Sequence, residues 1–190
     1  MHVVGALVNL LLISACVYTM YSLTPADHPY AYLAASFSLV HGLLGLLRFY
    51  TEEPDECGRT FMISASILEV IPLPLANIEF YLVSDQSGVA LVHGLSLIPL
   101  FYDMIGKLGE DWDSSTETLK DLALLGNIVS TLYLAIKDGR NLYYAVAATA
   151  FLARYGSSLV DRCNEGLGHV VGTLGNAGIM ALMTYTLTEG

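Results

Sequence analysis

The sequence predicts an all-α fold, a polytopic integral membrane helix bundle of about seven transmembrane helices in a single domain over residues 1–190. Three observations predict it. Of the 190 residues, 54% are hydrophobic and 14% are charged, and the mean hydropathy is +0.56, which is unlike an ordinary soluble domain. The apolar residues fall in runs of roughly 20, the length that crosses a bilayer as a helix. The polar connections between the runs are too short to form a second domain.

Seven apolar runs give the predicted helices, in chain order. The first lacks the basic leader of a secretory signal, so we expect it to remain as a span. The third contains Pro72 and Pro74 close to Glu69, and because proline removes a backbone donor we expect this helix to kink or break. A six-span bundle with a re-entrant segment is the alternative. The predicted helices cover residues 3–23, 30–50, 60–82, 87–106, 118–136, 141–161 and 166–187.

The distribution of lysine and arginine predicts the orientation, because cytosolic loops are enriched in both. Five basic residues flank the second, fourth and sixth connections, whereas two flank the other side. We therefore expect a cytosolic N-terminus and a C-terminus on the opposite side of the membrane. The two groups are Arg48, Arg59, Lys107, Lys120 and Arg162 against Lys137 and Arg140.

Internal repetition indicates how the helices are organised. Residues 39–50 read LVHGLLGLLRFY and residues 91–102 read LVHGLSLIPLFY, while residues 2–9, HVVGALVN, resemble residues 169–176, HVVGTLGN. The sequence of the sixth helix matches the repeated segments of the second and fourth helices more weakly. The pattern predicts three helical hairpins related by an axis along the membrane normal, followed by one more helix. The hairpins are about 1–55, 56–110 and 111–163, and the last helix is about 164–190.

Three polar residues occupy matched positions in the even-numbered helices. His41 and His93 belong to the repeated segments, and Tyr155 takes the corresponding place in the sixth helix. If these helices converge, the three side chains form one polar layer that could relay protons or line a solute path. Alternatively, each histidine bonds a neighbouring helix. Haem or metal ligation by His41 and His93 has no further support, and we predict no cofactor.

Charged residues within the apolar runs need partners or a function. Glu69 lies beside the prolines of the third helix, an arrangement common at transporter sites, and Asp103 near the end of the fourth helix is a further pathway candidate. We expect Glu79 at the membrane interface. Arg154 is expected to pair with an acid or to reach the cytosolic surface.

Small and amide side chains predict helix packing or a partner interface. Glycines recur along one face of the seventh helix, where they permit close association within the chain or with another subunit, and asparagines recur at matched depths, where their amides can bridge helices. The residues are Gly168, Gly172, Gly175, Asn9, Asn127 and Asn176.

Two classes of function fit these features. The first is a small transporter or channel. The second is a non-catalytic accessory or assembly subunit of a membrane complex. A membrane-embedded metal or haem enzyme is third, since the chain contains no GxSxG, HExxH or phosphate-binding loop. Expected partners are the lipid bilayer and a membrane protein or a second copy. The formal charge of -10 argues against nucleic acid.

Overall fold

The computed structural model describes residues 2–50, 58–109, 115–164 and 166–189, and every regular element in them is helical. The elements form seven rods, a rod being one helix or several joined end to end. They are α1 (His2–Ser22); α2 (Pro29–Tyr50); α3 (Gly58–Val70) with α4 (Pro72–Leu82); a 3₁₀ segment (Ser87–Ser96) with α5 (Leu97–Leu108); α6 (Ser115–Asp138); α7 (Asn141–Phe151), a π segment (Leu152–Gly156) and α8 (Ser157–Cys163); and α9 (Leu167–Thr188).

The all-helical prediction is confirmed, and the rods lie where the apolar runs placed them. Six rods are long and apolar enough to cross a membrane, out of the seven in the described part of the chain. The sixth rod, residues 141–163, is not among the six. It contains the polar stretch RYGSS at residues 154–158, which lowers its hydropathy.

The third rod is the centre of the bundle. Of its most apolar stretch, 67% is buried, whereas the corresponding stretches of the other five candidate spans are 22% to 44% buried. The predicted distortion falls at Ile71, directly before Pro72 and Pro74. The Ile71 amide still donates to the Ile67 carbonyl at 2.9 Å, so the rod is kinked and not divided.

The first rod packs on the outside of this centre, against α2 and α9. Gly45 permits the close approach of α2, since a Cβ there would lie 2.5 Å from the Asn9 amide. At the other end, the Thr19 and Thr184 hydroxyls are hydrogen-bonded at 2.7 Å. The Asn9 Nδ2 atom donates within α1, to the Gly5 carbonyl, so this amide contributes packing and not a hydrogen bond between helices.

The glycine face of α9 packs against the sixth rod of the same chain. A Cβ on Gly175 would collide with Ala153, and one on Gly168 would lie 2.7 Å from the Ser157 carbonyl oxygen. A Cβ on Gly172 would lie 3.5 Å from the Ala153 carbonyl oxygen, at ordinary contact distance. The small residues therefore serve close packing within the chain.

Hydrogen bonds of side-chain amides join α4, α6 and the 3₁₀ segment. Asn77 Nδ2 donates to the Asn127 carbonyl and to Asn127 Oδ1, both at 3.0 Å. Asn127 Nδ2 in turn donates to Ser96 Oγ at 2.6 Å, and Thr131 Oγ1 donates to Asn77 Oδ1 at 2.7 Å. Asn127 is thus a bridge between helices, whereas Asn176 donates to Gly172 within its own helix.

Candidate functional site

A cavity of about 240 Å³ lies among α2, the third rod, α6, the sixth rod and α9. It begins at the end of the bundle where α3, α6 and α9 start, and it reaches about halfway along the rods. Its deeper wall is mainly apolar and includes Leu73, Ile128 and Ile179, together with the polar Thr173 and Asn176. The polar part of its wall includes His41, Glu69, Arg154, Ser157, Asp161 and His169.

His41 is fully buried, and its hydrogen bonds indicate which ring nitrogen carries the hydrogen. Ser64 Oγ donates its hydrogen to the Phe61 carbonyl at 2.8 Å, so it accepts from His41 Nδ1 at 2.9 Å. Nδ1 therefore carries a hydrogen, and in the neutral ring Nε2 has a free lone pair. Nε2 is buried and has no hydrogen-bond partner in the described residues. The wall of the cavity thus holds an unused acceptor.

Aromatic and basic groups pack beside His41 near the end of the cavity. The His41 and His169 ring centroids are 5.8 Å apart, and Phe61 stacks with both, at 5.0 Å and 5.4 Å. The Arg48 guanidinium lies 4.9 Å from the Phe61 ring centroid, within range of a cation–π contact. These contacts fix the orientation of the His41 ring.

Arg154 stands on the opposite wall, in the π segment of the sixth rod. π-Helical turns are rare and are frequent at functional sites. Each guanidinium nitrogen of Arg154 pairs with a different acid: Nε with Asp121 at 2.6 Å, one Nη with Glu117 at 3.1 Å and the other with Glu69 at 3.2 Å. Each of the three guanidinium nitrogens therefore has one carboxylate partner.

Lys120 extends these pairs into the protein. Its side chain is fully buried and lies 2.7 Å from Glu117, 3.3 Å from Asp103 and 3.5 Å from Glu69. Asp103 also pairs with Lys107 at 2.9 Å. Among the described residues, these contacts form one ionic network of four acids and three bases, namely Glu69, Asp103, Glu117 and Asp121 with Lys107, Lys120 and Arg154.

The structure separates the three residues predicted to form one layer. His93 is fully bonded, since Nδ1 donates to the Ala90 carbonyl at 2.9 Å and Ser130 Oγ donates to Nε2 at 2.7 Å. Tyr155 donates to the Asp121 carbonyl at 3.3 Å. Ser130 and Asp121 are nine positions apart on α6, which places them about 13 Å apart along the axis. His41 lines the cavity with Glu69, whereas His93 and Tyr155 lie outside it.

Two buried polar features, one at the cavity and one at the opposite end of the bundle, were not predicted. The first is the ionic network, which has sequence signals in the Asp103–Lys107 and Glu117–Lys120 spacings typical of helical ion pairs. The pairing of Arg154 with an acid, Asp103 or Asp121, was one of two expectations, and Asp121 is one of its three partners, whereas Glu69 and Glu117 were not expected. His169, at the start of α9, was not expected to share a site with His41.

The second is Glu79, which we expected at the interface and which is 1% exposed. Its Oε1 accepts from the Tyr30 and Ala31 amides at 2.6 Å and 3.1 Å, and His28 Nδ1 lies 3.4 Å from Oε2. The carboxylate therefore caps α2, whose first amides have no partner within the helix. Pro29 at the start of α2 marks that helix end.

A family model, described as a domain of unknown function, DUF4791, matches residues 25–187. The chain belongs to the DUF4791 family. The match contains every element around the cavity and leaves α1 outside. No curated protein and no solved structure matches this DUF4791 chain. In the ranges that the structure describes, no group of three or more His, Cys, Asp or Glu is placed to hold a metal ion.

Proposed function

We propose that this DUF4791 protein is a multi-pass membrane transporter or channel that binds a small polar solute in the cavity beside His41. The observation that carries the proposal is the lone pair of His41 Nε2, which is buried at the cavity wall without a partner. An unpaired buried acceptor costs about 1–3 kcal/mol. A solute that donates a hydrogen bond to Nε2 offsets this cost.

The outer surface of the bundle supports placement in a membrane. Large apolar side chains are exposed along the rods, for example Leu7, Leu43, Ile98, Leu122 and Ile136. Soluble monomers rarely expose so much contiguous apolar surface, whereas a bilayer requires it.

The sixth rod is the proposed seventh span. Its 141–163 range is long enough to cross the bilayer, and Arg154 within it is neutralised by acids. The three predicted hairpins and the cytosolic N-terminus remain part of the proposal. In that orientation the cavity lies at the cytosolic side.

Two helices at the cavity wall are irregular, which supports a binding site whose helices change conformation during transport. The third rod kinks two residues after Glu69, and the π segment of the sixth rod carries Arg154. Helix breaks and π turns supply positions where a helix can change direction without losing all of its hydrogen bonds. Broken helices beside charged residues are a recurrent design of transporter sites.

Solute uptake by the reconstituted full chain tests the proposal. Vesicles with and without protein are incubated with a defined mixture of small metabolites, separated from the medium, and assayed for trapped solutes by mass spectrometry. We expect at least one polar solute to be enriched in protein-containing vesicles. Equal trapping of every solute by the two preparations would refute transport.

Two substitutions of His41 show whether the solute that is taken up binds in the cavity. The Asn amide takes the place of Nδ1 and keeps the bond to Ser64, so His41→Asn removes Nε2 together with the ring carbons that pack on Phe61 and His169. The Gln amide extends to the Nε2 position, so His41→Gln keeps an acceptor there. We expect uptake to fall at least tenfold in His41→Asn and less in His41→Gln, with both variants monodisperse. Wild-type uptake by His41→Asn would remove the cavity from the mechanism.

The accessory-subunit alternative keeps its other motives, the short loops and the lack of a predicted soluble domain, although the glycine face of α9 packs against Ala153 and Ser157 of the same chain. Mild-detergent isolation from the native membrane, with subunit stoichiometry by mass spectrometry and an absorbance scan, tests this alternative and the metal or haem enzyme together. A stoichiometric partner in the absence of uptake would favour an accessory role. A stoichiometric chromophore or metal would favour the enzyme.

A further inference from the structure

We infer that the ligand of the cavity is a small organic cation with an N–H group, a primary ammonium, held between the Glu69 carboxylate and His41 Nε2. The inference rests on the proposed function and specifies the class of solute. Glu69 and His41 both line the cavity, and they offer a negative charge and a hydrogen-bond acceptor.

The charge of the ionic network favours a cation. Its four acids exceed its three bases by one in the described residues. His41 adds no charge in the tautomer that its Ser64 bond indicates. The network therefore has an excess of one negative charge, which a monovalent cation neutralises. A surplus negative charge attracts a cation and repels an anion.

Glu69 is the acid that the network can release to a ligand. Without Glu69, Lys120 keeps Glu117 at 2.7 Å and Asp103 at 3.3 Å. Arg154 likewise keeps Glu117 and Asp121. Neither base is left unpaired, so a new cation can take Glu69 at small cost to the protein.

Glu69 is also an accessible acid of the network. Its side chain is 42% exposed, close to the 43% of Asp121, whereas Glu117 is 33% exposed and Asp103 is fully buried. Of the four network acids, Glu69 is the one on the described cavity wall. An incoming cation therefore reaches Glu69 without displacing a helix.

The other polar groups of the wall disfavour an anion. Arg154, the one lysine or arginine of the described wall, has its three nitrogens occupied by carboxylates. Ser157 and Ser158 donate their hydroxyls to the Arg154 carbonyl, at 2.7 Å and 3.1 Å, which leaves lone pairs. Asp161 adds a second carboxylate near the end of the cavity. A wall rich in acceptors selects a ligand rich in donors.

Thermal unfolding of the purified full chain in detergent, with four matched probes, tests the ligand class. The probes are ethanolamine, tetramethylammonium, ethylene glycol and glycolate, which compare a cation with N–H, a cation without a hydrogen-bond donor, a neutral donor and an anion. We expect ethanolamine at ten times its Kd to raise Tm by about 3–6 °C. The other three should bind at least tenfold more weakly.

Substitutions of the two proposed contacts give the second arm of the test. Glu69→Gln should weaken ethanolamine binding about tenfold, while Glu69→Asp keeps the charge and most of the affinity. His41→Asn should reduce the preference for ethanolamine over tetramethylammonium, because only ethanolamine can donate a hydrogen bond to Nε2. Asp85→Asn removes an exposed acid at the opposite end of the bundle and should leave binding unchanged.

Each of the other outcomes refutes a defined part of the inference. Stabilisation by glycolate or ethylene glycol equal to that by ethanolamine, and dependent on His41, refutes the ammonium ligand and leaves the cavity as the binding site. No stabilisation by any probe also refutes it. A wild-type response of Glu69→Gln refutes the role of Glu69. The uptake assay above uses none of these probes, so the proposed function stands or fails separately.

Discussion

Replacing Lys120 by Met should destabilise the protein strongly, because it removes the most buried base of the ionic network. Lys120 has no exposed side-chain area and lies within 3.5 Å of three carboxylates. Removing one member of a buried pair costs about 3–5 kcal/mol. Each of the three acids keeps a second base, Lys107 for Asp103 and Arg154 for the others. We therefore expect the lower end, about 3 kcal/mol.

For a chain of this length, a loss of 3 kcal/mol corresponds to a fall in Tm of roughly 6–12 °C. The measurement is thermal unfolding of purified Lys120→Met in detergent. The matched control is Lys137→Met, an exposed lysine on the same helix, which should change stability by less than about 0.5 kcal/mol.

A double-mutant cycle with Asp103→Asn tests whether the loss comes from the ion pair. Because the double variant leaves neither group unpaired, it should cost at least about 1 kcal/mol less than the two single variants together. A Tm for Lys120→Met equal to that of Lys137→Met, or strictly additive costs, would refute the network as a stabilising element.

Three further predictions concern helix packing, backbone conformation and a buried hydrogen-bond bridge. Gly175→Leu should prevent monodisperse folding by fluorescence-detected gel filtration, because its side chain meets Ala153, whereas Gly126→Leu, with open space around it, should elute normally. Gly139 has φ +66°, so Gly139→Ala should lower stability by about 1 kcal/mol in an SDS titration, while Gly126→Ala within a helix should be neutral or stabilising. Asn77→Ala should cost about 2 kcal/mol in the same titration by leaving buried amide and hydroxyl partners unpaired; a loss below 0.5 kcal/mol would contradict its bridging role.

Local patterns predicted the helices well because each depends on neighbouring residues. The apolar runs gave all seven rods, and the pair Pro72 and Pro74 gave the kink at Ile71. The glycine face of α9 correctly indicated close packing, although its partner could not be read from the pattern. Asn127 proved to be a bridge between helices, whereas Asn9 and Asn176 donate within their own helices.

The repeated His-Gly segments show why the site was less predictable. His41 and His93 have the same neighbours in sequence, yet the segment around His93 is 3₁₀ and its ring is fully bonded. A 3₁₀ segment rises about 2.0 Å per residue and an α-helix 1.5 Å, so equal sequence positions do not give equal depths. A single polar layer therefore did not follow from the repeat.

The sequence alone determined that this DUF4791 chain is helical, that its runs match the thickness of a bilayer, and where its third helix kinks. Only the tertiary structure decided that Glu69 meets Lys120 and Arg154 and that Nε2 of His41 has no partner. The physical reason is one of range. Hydropathy and proline act within one helical turn, whereas ion pairs between rods depend on how each helix is rotated about its axis, which the packing of the whole bundle sets.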